Sequence, residues 1–198
     1  MKQTIFALAA MFALGGTAVA QEVKFGPKAG VNFSKQNHND AKAHTGFHVG
    51  AVAEIKLGEK FSIQPEVQYS TQGSKVEREI LGTKFSAKHQ LDYVNVPVVA
   101  KFYVVDGLSI EAGPHVSFLA KESYEVKAGN LGVGGSNQKP FEAKKLDYGV
   151  SAGLAYDTPS GLFFNARYMI GLNDLRESDT TGDAVKSSVI QAGVGFKF

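Results

Sequence analysis

The stretch Gly161–Asp174, "GLFFNARYMIGLND", decides the fold. Leu162, Phe164, Ala166, Tyr168, Ile170 and Leu172 fall on one parity and are all apolar. Phe163, Asn165, Arg167, Met169, Gly171 and Asn173 fall on the other and are mostly polar or small. Successive side chains of a strand point to opposite sides, so this period of two predicts a strand between two different environments.

Working outward, the same alternation recurs. In "LDYGVSAGLAYD", Leu146, Tyr148, Val150, Ala152, Leu154 and Tyr156 oppose Asp147, Gly149, Ser151, Gly153 and Asp157. In "GFHVGAVAEIKLG", Phe47, Val49, Ala51, Ala53, Ile55 and Leu57 oppose His48, Gly50, Glu54 and Lys56. In "FSIQPEVQYSTQG", Phe61, Ile63, Pro65, Val67 and Tyr69 oppose Ser62, Gln64, Glu66, Gln68 and Ser70. The closing "SSVIQAGVGFKF" sets Ile190, Ala192, Val194, Phe196 and Phe198 against Gln191, Gly193, Gly195 and Lys197. With Phe25 to Lys35, Leu91 to Tyr103 and Leu108 to about Tyr124, eight strands are expected, each of about 10–14 residues, where a tilted membrane strand needs about 9–11. An even number returns both termini to the same side.

The connections alternate in length. Gly58-Glu59-Lys60, Asp106-Gly107 and Thr158-Pro159-Ser160 read as tight turns. Gln36 to His44, Gly73 to Gln90, Glu122 to Lys145 and Asp174 to Lys186 read as long solvated links, with a hairpin above the membrane expected in the third. Short turns on one side and long loops on the other are the pattern of an outer-membrane barrel. No apolar run after the N-terminus reaches the length of a spanning helix, but strands that close on themselves also satisfy every backbone group.

The chain has 198 residues and opens "MKQTIFALAAMFALGGTAVAQE". A positive start at Lys2, an apolar core over Ile5–Leu14 and the small residues Ala18 and Ala20 before Gln21 predict a cleaved signal peptide over residues 1–20. What remains, Gln21 to Phe198, has the length of one domain. The chain has no cysteine, hence neither a disulfide framework nor a lipoprotein anchor. The formal net charge is +2, one unit of it from Lys2, which gives no reason to expect a nucleic-acid partner.

The polar face decides which way the strands point. It is rich in small residues: Gly30, Asn32, Ser34, Gly50, Gly113, Ser117, Gly149, Ser151, Gly153, Gly193 and Gly195. Such residues suit a crowded concave interior, and an eight-stranded barrel has room inside for side chains only. The fold expected is therefore an all-β, eight-stranded antiparallel up-and-down transmembrane barrel, with a plugged polar interior and its apolar face in lipid. A soluble ligand carrier of the lipocalin type would have the faces reversed.

Lys28, Glu54, Glu66, Lys101, Glu111 and Arg167 lie on the inward face, in the half nearer the turns or close to mid-barrel. Three acids and three bases taken out of water must find partners, so an interior ion-pair network is expected. Aromatics near strand ends, among them Phe47, Phe61, Tyr69, Tyr93, Phe102, Tyr148, Tyr156, Phe163, Tyr168, Phe196 and Phe198, are expected in the interfacial girdles.

The remaining motifs carry little chemistry. His44 and His48 are four apart, but along a strand that spacing spans about 13 Å, too far for a shared metal. His115 is expected inside the bore. "GVGG" at Gly132–Gly135 lacks the lysine and helix start of a phosphate cradle. A rim enzyme would need a histidine beside a serine or acid, for which His44, His89, Asp174 and Asp179 are candidates. No cofactor, metal or catalytic residue is expected.

The pieces "GPKAGVNFS", "IQPEVQYSTQG", "LDYVNVPVVAKF", "GPHVSFLAK", "DYGVSAGLAY", "NARYMIGLND" and the terminal "VGFKF" span nearly all of the chain after the signal. In this order, with Tyr93, Pro97 and Lys101 the most specific group, they resemble the small outer-membrane β-barrel domain proteins of Bacteroidetes, the PorT-like family, with a barrel of the OmpX/OmpA kind. The resemblance implies an outer-membrane address in a Gram-negative bacterium, with outer-membrane lipid as its surroundings. It implies no agreed activity. Val194, Phe196 and Phe198 resemble the C-terminal signal that hands such barrels to their assembly machinery. The function expected is non-enzymatic, as an envelope scaffold or through binding or adhesion by the external loops. A narrow channel or transport accessory is the alternative.

Overall fold

Alternation of this kind leaves each strand with one face for lipid and one for its neighbours' polar groups, and closure removes the edges. The computed structural model describes residues 22–36, 42–80, 83–128, 144–174 and 186–198. Eight strands form one closed antiparallel barrel in sequence order. They are β1 (Val23–Gln36), β2 (Lys42–Lys56), β3 (Phe61–Ile80), β4 (Thr83–Val105), β5 (Leu108–Ala128), β6 (Leu146–Asp157), β7 (Leu162–Gly171) and β8 (Ser187–Phe196). The barrel closes between β1 and β8, in register from Lys28 opposite Gly195 to Gln36 opposite Ser187. Below that ladder Phe198 N–H donates to Phe25 O at 2.9 Å, and Phe25 N–H to Phe198 O at 3.2 Å. The last residue is thus tied to the first strand, and the chain end lies at the same end of the barrel as the tight turns.

Those turns follow from local chemistry. Asp106-Gly107 joins β4 to β5, with Gly107 at φ +79°, a conformation glycine adopts without steric cost. Between β6 and β7, Gly161 has φ +91°. Thr158 N–H donates to Leu162 O at 2.8 Å to close that turn.

The faces sort as the sequence requires of a membrane barrel. Outward Phe47, Phe102, Leu154 and Ile190 are each half exposed, whereas inward Asn32, Ser62, Lys101 and Gln191 have no exposure at all. Along β7 the alternation is unbroken from Leu162 to Gly171. Apolar groups outside and polar groups inside are the reverse of a soluble barrel, which sets the lipocalin reading aside.

Two expectations need correction. The first concerns strand length. β3, β4 and β5 run for 20, 23 and 21 residues, not 10–14. The supposed loop Gly73–Gln90 is mostly ladder, paired from Gly73 opposite Gln90 to Ile80 opposite Thr83. The third link begins as strand, with β5 paired to β4 out to Phe85 opposite Ala128. The rise beyond the barrel is therefore built on the second link and the start of the third; the hairpin expected in the third falls on residues 129–143, outside the described residues. In the paired stretches alternation continues, with Val76, Ile80, Phe85, Ala87, Val126 and Ala128 between Lys75, Glu77, Glu79, Lys84, Ser86, Lys88, Glu125 and Lys127, but the density of charge makes them read as solvated links.

The second concerns two aromatics. Tyr93 and Phe163 belong to no girdle; both point into the bore and are almost fully buried. Tyr93 packs with Leu91 and Leu119 near the outer end. Phe163 lies over Gly195, directly opposite it on β8. A ring on the inward parity is admitted where a glycine faces it, a detail that aromatic enrichment alone does not carry.

Candidate functional site in the barrel interior

The bore is narrow, and small residues on neighbouring strands make room for some of the long side chains that cross it. Lys28 on β1 stands opposite Gly50 on β2 and Gly195 on β8. Arg167 on β7 stands opposite Gly153 on β6. A Cβ at Gly50 would come within 2.0 Å of Val67 O, and one at Gly153 within 2.2 Å of Ala166 O, so the backbones here leave no room for more than hydrogen.

The six predicted interior charges are all inward and buried, and they divide into two layers. In the middle layer Arg167 Nη2 lies 2.8 Å from Glu66 Oε1, and Arg167 Nε lies 2.8 Å from Glu111 Oε1. Lys28 Nζ lies 3.2 Å from Glu66 Oε2. Glu66 also accepts from Gln64 Nε2 at 2.7 Å and from Gln68 Nε2. The layer holds two cations and two carboxylates.

The second layer lies toward the turns. Lys101 Nζ is 2.6 Å from Asp157 Oδ2 and 3.6 Å from Glu54 Oε1. Lys197 Nζ pairs with both Glu54 and Asp157. Ser62 Oγ donates to Glu54 at 2.6 Å, and the Tyr103 hydroxyl contacts both carboxylates. This layer too balances two cations against two carboxylates, and such pairing offsets the several kcal/mol per ion that desolvation costs.

Three members of the second layer were missed from sequence: Asp157, Lys197 and Tyr103. The signal was present for the first two, which sit on the polar parity of their strands, but both lie at strand ends where solvent exposure is the ordinary assumption. Lys101 and Glu111 are direct cross-strand partners yet contribute to different layers.

Outward of the middle layer the lining is mostly amides, hydroxyls and imidazoles, and the buried Asp147 carboxylate accepts from Ser187 Oγ at 3.1 Å. Asn32 Nδ2 donates to Phe47 O at 2.9 Å, Ser70 Oγ at 2.9 Å and Thr71 O at 3.0 Å. His48 lies inside the bore, its Nδ1 2.8 Å from Asn32 Oδ1. His115 is buried on β5. Below the second layer a vestibule of about 420 Å³ opens at the turn end, with Glu54, Tyr103, Asp157 and Lys197 at its base. At this end, outside the span, Glu22 pairs with Lys56 at 2.7 Å and Lys24 at 3.1 Å, which hold its carboxyl below the ordinary glutamate range.

The rim candidates fall on separate elements: His44 on β2, His89 on β4 and Asp174 beyond β7. Asp179, Gly132–Gly135, Ala18, Ala20 and Gln21 lie outside the described residues. Among the described residues no three His, Cys, Asp or Glu side chains are grouped as metal ligands.

This geometry agrees with sequence comparison. The profile of the outer membrane protein β-barrel domain family matches residues 19–177. The chain belongs to that family. It is an outer-membrane β-barrel, with its apolar face toward membrane lipid. Among solved structures, Neisserial surface protein A is similar at 17% identity and a TM-score of 0.54, with 89% of this chain and 99% of that one covered. The attachment invasion locus protein of Yersinia pestis aligns at 14% identity and a TM-score of 0.47, over 89% of this chain and 99% of that one. OprG from Pseudomonas aeruginosa aligns at 13% identity and a TM-score of 0.46, over 90% and 97%. No curated protein sequence matches the chain. The likeness to Neisserial surface protein A is one of fold alone.

Proposed function

We propose that this barrel is a non-enzymatic cell-surface scaffold that works through the part standing above the membrane, by binding or adhesion to an extracellular partner. The observation that carries the reading is the inequality of the strands. About 9–11 residues suffice to cross the bilayer, and β6, β7 and β8 have 12, 10 and 10. β3, β4 and β5 are adjacent, and each has 20 or more. Roughly ten residues of each therefore rise beyond the span as one continuous three-stranded sheet. Two stacked ion-pair layers across the bore argue against passage of solutes, since an ion would have to displace paired charges at each layer. The channel reading gains no comparable support, because the vestibule at the turn end is blind.

We also propose the details of biogenesis. Cleavage after Ala20 would release Gln21–Phe198 as a single barrel domain, and the start of the family match at residue 19 is consistent with it. Val194, Phe196 and Phe198 would be read by the assembly machinery; Phe198 is three-quarters exposed and so accessible. The finer assignment to the PorT-like proteins of Bacteroidetes rests on the ordered motifs given above. The test of function is to replace residues 74–89 by a two-residue turn. The variant should still shift on boiling in a mild SDS gel, as a closed barrel does, while cells bearing it lose surface binding. Unchanged binding would refute the reading, as would stepwise ion conductance of the parent in planar bilayers.

A further inference from the structure

The outward face changes character at the loop end of the seam between β1 and β8. On β1 the apolar outward face runs from Phe25 to Phe33, nine residues or about one bilayer crossing, and the next outward side chain is Lys35. On β8 it runs from Ile190 to Phe198, nine residues again, and beyond it come Ser188 and then Lys186. Ser188 stands directly opposite Lys35. Lys186 is therefore the diagonal neighbour of Lys35, about 7–8 Å away between backbones, which two long side chains can close. Both lysines are exposed, and among the described residues neither ammonium has a hydrogen-bond or ion-pair partner. Asp174, just past β7, forms no ion pair with either lysine among the described residues.

The two ends of the barrel differ in the same sense. Among the described residues, the exposed charges at the turn end are Glu22, Glu59, Asp106 and Lys60, three acids to one base. At the loop end they are Lys35, Lys121, Lys145 and Lys186, with no exposed acid. Cations gathered at headgroup level above an apolar face are placed to meet the phosphates of an anionic leaflet. Lys145 falls on the inward parity of β6, and Lys121 lies beyond the register shift at Asp92 and Tyr93. Only the seam thus presents two of the four lysines on the lipid-facing parity of adjoining strands.

We propose that Lys35, Ser188 and Lys186 clasp the phosphate of an anionic lipid in the loop-side leaflet, with its acyl chains against Phe33, Ile170 and Ile190. The two ammonium groups neutralise the phosphate, and the Ser188 hydroxyl donates to a further oxygen. Ile170 is directly opposite Ser188, and Phe33 is directly opposite Ile190, so the chains have a continuous apolar bed below the headgroup. A lipid held there bridges the first and last strands at the place where the barrel closes.

The test is native mass spectrometry of the whole folded barrel in neutral detergent micelles, titrated with dioleoyl phosphatidic acid. One lipid should be retained, and the double variant Lys35→Gln, Lys186→Gln should weaken its retention about 25-fold, roughly fivefold for each lysine. Lys60→Gln at the turn end, and the pair Lys121→Gln, Lys145→Gln, should leave retention unchanged. The gel shift on boiling shows that each variant is folded; if the double variant does not assemble, Lys186→Gln alone should lose about fivefold. Dioleoyl phosphatidylcholine, whose phosphate carries its own cation, should not be retained. Equal retention of the two lipids would overturn the proposal, since the apolar belt alone would then account for it. So would full retention by the seam variants, or an equal loss in the Lys121 and Lys145 pair. Release of the lipid by inorganic phosphate at the same concentration would also overturn it, by making the site one for a soluble anion.

Discussion

Arg167 is the side chain on which the middle layer turns, and its replacement by methionine tests the interior most directly. Arg167→Met keeps the length and much of the volume but removes the contacts to Glu66 and Glu111 at 2.8 Å each. Two carboxylates then remain with Lys28 alone. Removing one partner of a fully buried ion pair costs about 3–5 kcal/mol, because the other charge is left uncompensated. With a urea dependence of about 2 kcal/mol per molar, that loss lowers the unfolding midpoint by roughly 1.5–2.5 M. The assay is urea titration of the refolded barrel in lipid vesicles, scored by the folded band of unboiled samples. The double variant Arg167→Met, Glu111→Gln restores one cation against one carboxylate. It should recover about 2 kcal/mol of the loss, although it carries one more substitution. A single variant that costs less than about 1 kcal/mol, or a double variant as unstable as the sum of its parts, would falsify the paired layer, because hydrated charges behave independently.

Other expectations follow from the same geometry. Val150→Arg, at an outward position half exposed to the bilayer, should cost about 2–4 kcal/mol in lipid, measured by the same titration; an unchanged midpoint would mean that this face does not meet hydrocarbon. Gly50→Val places a side chain within 2.0 Å of Val67 O and should cost at least the roughly 1–3 kcal/mol of an overpacked core, seen as loss of the unboiled folded band. Deleting Phe198 should impair assembly in cells far more than refolding of purified chain into vesicles, and equal defects in both would assign the residue to closure with Phe25 rather than to recognition. Lys197→Met should destabilise the barrel less than Arg167→Met, because Lys101 still faces Glu54 and Asp157.

Much of this architecture is legible in the amino-acid sequence. A strand's side chains alternate by geometry, so "GLFFNARYMIGLND" by itself assigns Leu162, Phe164 and Tyr168 to one medium and Asn165 and Arg167 to another. Repeated eight times between short turns and long links, that pattern determines strand number, closure and the outward direction of the apolar face. The inward place of Lys28, Glu54, Glu66, Lys101, Glu111 and Arg167 follows from parity alone.

Partnership does not follow from parity. Glu66 and Arg167 are 101 residues apart and meet across the bore, whereas Lys101 ignores its cross-strand neighbour Glu111 and reaches Asp157 and Glu54. Which inward charges share a level depends on the tilt and stagger of closed strands, quantities of the whole barrel that no local window contains. The division into two neutral layers, with Lys197 and Asp157 drawn in from strand ends, was therefore decided by tertiary structure. So was the extension of β3, β4 and β5 past their neighbours: Val76, Ile80, Phe85 and Ala87 alternate with charged residues, but only the observed ladder from Gly73 to Ile80 shows that so charged a stretch pairs.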